Sequence, residues 1–230
     1  MSIQAQDQPK TFIGGGVSLN RTSSPDPDPT KSGDGGKVYF GAYGEAGLAH
    51  PKGFQARLLV EYTRFPQLPT IFTLDEASTR TATSEVRFRP ELRLNLFKNE
   101  AFQPFVSGGL EMFRQFFEDQ ETHSYGSYSR PLQAFGINPL LGAGVQVGSN
   151  EIQYTYLFTD KSAFNSSYLN GHRLGYSYTH KVSNRLSLKA SGEADYVTFR
   201  ESDGRYHDYY REKDVIFKGR IGFIFHSKEK

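Results

Sequence analysis

The side chains able to do acid–base chemistry cluster in polar stretches between apolar segments. Glu118 and Asp119 precede His123, and Glu201, Asp203 and Asp208 surround His207. A His beside a carboxylate can activate water, because the carboxylate orients the ring and the other nitrogen takes the proton. No spacing among these residues forms a paired catalytic motif, and a lone loop His is usually just solvated. No catalytic residue is assigned, and the chain is expected not to be an enzyme. The run Asp26-Pro27-Asp28-Pro29-Thr30-Lys31-Ser32-Gly33-Asp34 alternates oxygen ligands as a calcium loop does. Its sixth position is Lys31 rather than Gly and its twelfth is Lys37 rather than Glu, so it reads as a solvated, Pro-stiffened loop. With no Cys there are no disulfides and no thiolate sites. No metal and no cofactor is expected.

A third kind of chemistry, ion pairing, is written into residues 85–97. From Glu85 to Asn95 every odd position is polar and all but Asn95 are charged, while from Val86 to Leu96 every even position except Pro90 carries a large apolar side chain. A period of two makes a strand with one wet and one apolar face. The apolar face is long enough to cross a bilayer, which a tilted strand does in about 9–11 residues. The faces then invert relative to a soluble protein: apolar side chains meet lipid and charges fill the inside of a closed barrel.

Composition agrees. A net charge of +2 without a basic run does not point to nucleic acid. A mean hydropathy of −0.58 and the lack of any apolar run near 18 residues exclude transmembrane helices but not a membrane barrel, whose polarity is hidden inside. The 14 Tyr, 19 Phe and 23 Gly favour strands and turns. Ile3-Gln4-Ala5 is compatible with the tail of a removed signal peptide.

The elements that must position the charges are ten strands, with eight as the alternative. They are expected near 11–20, 38–48, 54–65, 85–97, 102–114, 133–147, 151–159, 168–180, 186–199 and 214–225. The connections alternate long and short: residues 22–36, 66–81, 117–132, 160–166 and 201–213 against His50–Gly53, Lys98–Glu100, Gly148–Asn150 and Val182–Asn184. An up-and-down membrane barrel has long outer loops and short periplasmic turns, whereas a Greek-key sandwich does not sort its connections this way. The expected fold is all-β, a single antiparallel transmembrane barrel over 11–225, with a flexible N-terminus (1–10) and a tail (226–230). Aromatic girdles are expected from Phe54, Phe97, Phe102, Phe223 and Phe225 at one interface, and from Tyr62, Phe65, Phe113, Phe116, Phe158, Tyr168 and Phe199 at the other.

Parity then fixes the lumen. Arg57, Arg87, Arg89, Arg93, Arg173, Lys189, Lys218 and Arg220 face Glu45, Glu61, Glu85, Glu91, Glu111, Glu193 and Asp195, eight cations against seven carboxylates. Buried charges must pair, so near balance implies a salt-bridged plug or a narrow wet lumen. A wide selective pore would carry a ring of one sign. Inward glycines (Gly41, Gly47, Gly109, Gly142, Gly144, Gly175, Gly222) are expected to leave room for arginines from the opposite wall. Two features strain the pattern. Pro90, Pro104 and Pro139 sit within strands and each should mark a bulge or a lost ladder bond. Asn170 and His172 fall on the lipid-facing parity, which requires either a place near the outer headgroups or a shifted register.

The last strand carries the most specific signal. Phe217, Gly219, Ile221, Phe223 and Phe225 alternate with Lys218, Arg220, Gly222 and Ile224 and end on an aromatic. This resembles the C-terminal insertion signal of small outer-membrane β-barrel proteins of Gram-negative bacteria. The resemblance implies an outer-membrane location, the lipid bilayer as partner, and recognition by the barrel-assembly machinery; the residues after Phe225 depart from that pattern. The expected role is non-enzymatic, as an envelope structural protein or through outer loops that adhere or capture an unidentified extracellular ligand. Contact-prone side chains lie in the third long loop (Phe116, Phe117, Tyr125, Tyr128, Arg130) and the fifth (Arg205, Tyr206, Tyr209, Tyr210, Arg211). The alternatives are a narrow pore, an omptin-like outer-membrane hydrolase, and a soluble lipocalin-like carrier with the faces reversed.

Overall fold

Period-two alternation gives strands throughout. In a computed structural model the described residues are 9–23, 38–51, 53–64, 72–73, 78–97, 102–123, 126–158, 166–201 and 210–227. They form β1 (Lys10–Ser23), β2 (Val38–Ala49), β3 (Phe54–Arg64), β4 (Phe72–Thr73), β5 (Ser78–Asn95), β6 (Gln103–His123), β7 (Gly126–Val147), β8 (Asn150–Phe158), β9 (Ser166–Lys181), β10 (Leu186–Glu201) and β11 (Tyr210–His226). All pairings are antiparallel between sequence neighbours, except that β3 pairs with β5 and β1 closes on β11. The two residues of β4 touch only β5, so the barrel itself has ten strands. The short turns mark the inner, periplasmic end and the long connections the outer end.

Register partners fix the shape. Starting at Thr11, they run through Leu48, Ala56, Leu92, Gly108, Leu141, Tyr156, His172, Tyr196 and Val215 and return to β1 at Ser23. The row comes back twelve residues further along. That stagger over ten strands tilts each strand by about 40°, within the usual range for barrels. Closure leaves no edge and satisfies the backbone in lipid.

Sidedness is decided by energy. Each large apolar side chain in hydrocarbon gains about 1.5–3 kcal/mol, whereas an unpaired charge there costs more. Ile13 is 64% exposed and Ile221 65%, while Asp195 is 1% exposed. Val17, Phe40, Leu58, Phe88, Leu92, Leu94, Leu141, Leu174 and Phe217 also point outward. A lipocalin-like arrangement with the apolar face inside is therefore ruled out.

Several boundaries differ from expectation. β5, β6 and β7 run well past the membrane, so 117–132 is not a loop: its described residues form a two-stranded extension closing at His123–Gly126. Likewise β10 and β11 pair out to Glu201–Tyr210. The strand also outlasts Phe225: His226 pairs with Phe12, and the Ser227 amide donates to the Thr11 carbonyl at 2.9 Å.

The prolines sit where a missing N–H is tolerated. The β5–β6 ladder skips Arg89 and Pro90, Pro104 is the second residue of β6, and Pro139 lies just beyond the last pair of β7 with β8. The register through His172 is unbroken, and the one shift in the β9–β10 ladder falls between Thr198 and Phe199. His172 therefore keeps its outward position in the outer half of the wall. There it meets Tyr154 Oη through Nδ1 at 2.6 Å and the Tyr156 ring edge-on. Phe54, Phe97, Phe102, Phe223 and Phe225 are exposed at the inner end, and Tyr62 and Phe158 at the outer. Phe113 is no girdle residue: it is buried inside, opposite Gly136. Phe65 lies outside the described residues.

Candidate functional site

Odd positions on β2, β3, β5, β6, β8, β9 and β10, and even positions on β11, bring the charges to the lumen in three tiers. In the inner tier Arg93 reaches Glu151 at 2.5 Å, Lys189 reaches Glu45 at 2.7 Å and Arg57 reaches Glu91 at 2.9 Å. Gln153 ties the tier together by donating to Glu91 at 2.7 Å and to Ser107 at 2.9 Å. The middle tier centres on Glu193, which accepts from Arg89 at 2.5 Å and lies 3.0 Å from Arg220; Arg220 also donates to Glu61 at 2.8 Å. In the outer tier Asp195 accepts from Arg173 at 2.6 Å and Lys218 at 2.9 Å. Arg173 also pairs with Glu111 at 2.9 Å, and Arg87 bridges Glu111 at 3.0 Å and Glu85.

The order of strands around the barrel gives these distances meaning. Arg89 on β5 and Glu193 on β10 are five strands apart in a ring of ten, so they come from opposite walls. Lys189–Glu45, Arg93–Glu151, Arg173–Glu111 and Arg220–Glu61 each join strands three apart. A charge in this interior costs several kcal/mol unless its partner lies within hydrogen-bond reach. The lumen meets that demand with crosswise pairs added to pairs between neighbouring strands such as Arg57–Glu91 and Arg173–Asp195. Arg89, Gln153, Gly175 and Glu193 line two cavities in the lumen.

Parity placed all fifteen expected charges on the lumen side but omitted Glu151, which lies beside the Gly148 turn. With it, eight cations meet eight carboxylates among the described residues. The signal was present: Glu151 shares its parity with Gln153 and Thr155. Parity also says nothing of Phe105, which is 1% exposed and carries the Arg93 guanidinium 3.6 Å above its ring centre.

The room over the glycines is used differently from expectation. A Cβ on Gly144 would lie 2.4 Å from the Phe105 ring, and one on Gly47 2.5 Å from the Phe12 ring. Both rings come from the adjacent strand, not from arginines across the lumen. Aromatic side chains resting on cross-strand glycines pin register and curvature. Phe105→Ala empties this bed and removes the surface under Arg93. It should cost about 3–5 kcal/mol, read as a lower urea midpoint of the vesicle-embedded barrel. An unchanged midpoint would show that the ring fills no essential space.

None of the hydrolase candidates has a described side chain. His123, Glu118 and Asp119 have their backbones in the β6–β7 extension and Glu201 in β10, while Asp203, His207 and Asp208 lie outside the described residues. The calcium-like run 26–34, Tyr125, Arg205, Tyr206 and Tyr209 also lie outside them.

No family model matches the sequence, and no curated protein does. Solved structures match the fold. The chain is similar to the outer-membrane protease OmpT of Escherichia coli, at 9% identity over 99% of each chain with a TM-score of 0.55. It also matches the translocator domain of the autotransporter NalP of Neisseria meningitidis, at 9% identity over 97% of this chain and 90% of that one, TM-score 0.49. The attachment invasion locus protein Ail of Yersinia pestis matches at 11% identity over 96% and 99%, TM-score 0.42. At such identities the likeness concerns the fold. The chain is an antiparallel transmembrane β-barrel of the type found in the outer membranes of Gram-negative bacteria. It is embedded in the bilayer by its apolar belt.

Proposed function

We propose that the protein is a non-conducting, non-enzymatic outer-membrane anchor that presents the β6–β7 extension to a partner outside the cell. The observation that carries the closed lumen is the Arg89–Glu193 pair. It joins opposite walls at 2.5 Å, and both of its residues line both cavities. The expected ion-pair network thus acts as a plug rather than as a selectivity filter.

The outer role rests on strand length. β6 and β7 have 21 and 22 residues, whereas β8 has 9. From Arg114 to His123, β6 runs nine residues further, about 20 Å if the tilt is kept. Paired strands of that reach, carrying Phe117, Tyr128 and Arg130, suit a contact surface. For β11, the outward placement of Phe217, Ile221, Phe223 and Phe225 supports its role as the strand recognised by the assembly machinery.

Planar-bilayer recording tests the plug: the purified barrel should give no steady single-channel steps, and steady steps would establish the pore instead. For the outer role, the whole chain and a variant with 117–130 replaced by a Gly-Ser turn are displayed on a non-adherent bacterium. Adherence to cultured epithelial cells should fall to background in the variant while its heat-modifiable gel mobility persists. Equal adherence would remove the extension from the contact.

A further inference from the structure

Charge is sorted between the two faces of the wall. All eight described carboxylate side chains point into the lumen. Three strand arginines with described side chains do not: Arg21 on β1, Arg64 on β3 and Arg114 on β6 are exposed and share the outward parity of Leu19, Tyr62 and Met112.

The stagger of the barrel sets their relative height. A row of register partners climbs toward the outer end by twelve residues per circuit of ten strands. A horizontal plane therefore meets each successive strand about 1.2 residues nearer the inner end, about 2.4 residues per two strands. Arg21 pairs with Val38, and Arg64 pairs with Phe40, two residues inward on β2. Arg64 in turn pairs with Ser84 and Ser84 with Phe116; Arg114 lies two residues inward of Phe116. Neighbouring arginines thus share one level to about half a residue, and all three to about one residue.

Arg21 lies ten residues along β1 from Thr11 at the inner rim. At about 2.5 Å of climb per residue this is about 25 Å, the height of the apolar belt. The guanidinium groups stand at its outer edge, where headgroups begin. Combining strand spacing with the two-residue offset separates neighbouring arginines by about 12 Å along the wall. Arg114 is steadied by donating to Gln133 at 3.0 Å and by the Phe116 ring 5.4 Å away.

We propose that Arg21, Arg64 and Arg114 form a binding arc for an outer-leaflet lipid whose disaccharide headgroup carries a phosphate at each end. Three exposed cations with no outward carboxylate among the described side chains select phosphate by charge. The separation spans two phosphates on one rigid headgroup, so that neighbouring arginines grip a single lipid. Phe40, 71% exposed between Arg21 and Arg64, offers a surface for its upper acyl chains or sugar. The opposite side of the wall has Phe158, His172 and Tyr196 near this level instead, so among the described side chains the arc occupies one side of the barrel.

The test uses the full chain in detergent, native mass spectrometry and four probes: bisphosphorylated lipid A, its monophosphoryl and dephosphorylated forms, and phosphatidylglycerol. The bisphosphorylated form should bind about tenfold tighter than the monophosphoryl form. A cation near a membrane surface is worth about fivefold in binding, so the triple variant Arg21→Gln, Arg64→Gln, Arg114→Gln should bind it about 100-fold more weakly. The triple Arg→Lys variant should keep most of the affinity, and heat-modifiable mobility reports folding for every variant. Equal binding of the phosphorylated and dephosphorylated forms would overturn the proposal, as would a folded Gln variant with unchanged affinity. Phosphatidylglycerol bound as tightly would reduce the arc to a general charge belt, and displacement by millimolar inorganic phosphate would make it a free-anion site; either result rejects the assignment.

Discussion

Glu193→Ala is expected to destabilise the barrel by about 3–5 kcal/mol, the cost of stranding a buried cation by removing its partner. Glu193 stands 2.5 Å from Arg89, 3.0 Å from Arg220 and 3.7 Å from Arg173. Losing it does not affect the three equally. Arg220 keeps Glu61 at 2.8 Å, and Arg173 keeps Asp195 at 2.6 Å and Glu111 at 2.9 Å. Among the described residues Arg89 keeps one longer ion pair, with Glu111 at 3.9 Å, so it bears most of the loss. The double variant Arg89→Met, Glu193→Leu should therefore recover most of the stability, because neither side of the bridge is left charged. The urea dependence of gel mobility without boiling, in lipid vesicles, measures both. A single variant as stable as the parent would mean that the middle tier is hydrated and open, and would undercut the plug with it.

How far such a network is legible before folding follows from what sets each part. The wet side of the strand containing Arg87, Arg89, Glu91 and Arg93 is fixed by local alternation, because a one-residue slip would turn every charge into lipid. The partner of each charge depends on the stagger, a property of closure that no single strand contains. Nothing near Arg89 names Glu193, more than a hundred residues away. The outer extension was hidden for another reason. Thr79-Arg80-Thr81-Ala82 and Glu118-Asp119-Gln120-Glu121 lack alternation because neither side of a strand above the membrane needs to be apolar. Such segments pair through the backbone and read as loops. The phenylalanines opposite Gly47 and Gly144 needed cross-strand register to be found, as did the common level of Arg21, Arg64 and Arg114.

The largest single effect on assembly is expected at the seam, from Gly16→Val. Gly16 on β1 pairs with Gly222 on β11, and Tyr43 on β2 pairs with Gly16. The three residues occupy neighbouring inward positions, with the Tyr43 hydroxyl 2.4 Å from where a Cβ on Gly222 would stand. A Cβ at Gly16 would lie 2.0 Å from the Ile221 carbonyl oxygen and 2.6 Å from the Gly222 Cα. Both obstacles are backbone, so no rotamer change relieves them, and the first and last strands would have to separate. Overpacking against movable side chains costs about 1–3 kcal/mol; against a closing backbone the penalty should exceed that range, and most chains should fail to close. Gly219, three residues before Gly222, provides the internal comparison. It has nothing within 4 Å of its Cβ position, and Gly219→Ala should be neutral or stabilise by about 0.5–1 kcal/mol. Refolding both variants into lipid vesicles and scoring the heat-modifiable band separates the two positions. If Gly16→Val closes as efficiently as Gly219→Ala, the seam is wider than these distances allow. The bed in which Tyr43 crosses β1 toward β11 would then have no part in bringing the chain ends together.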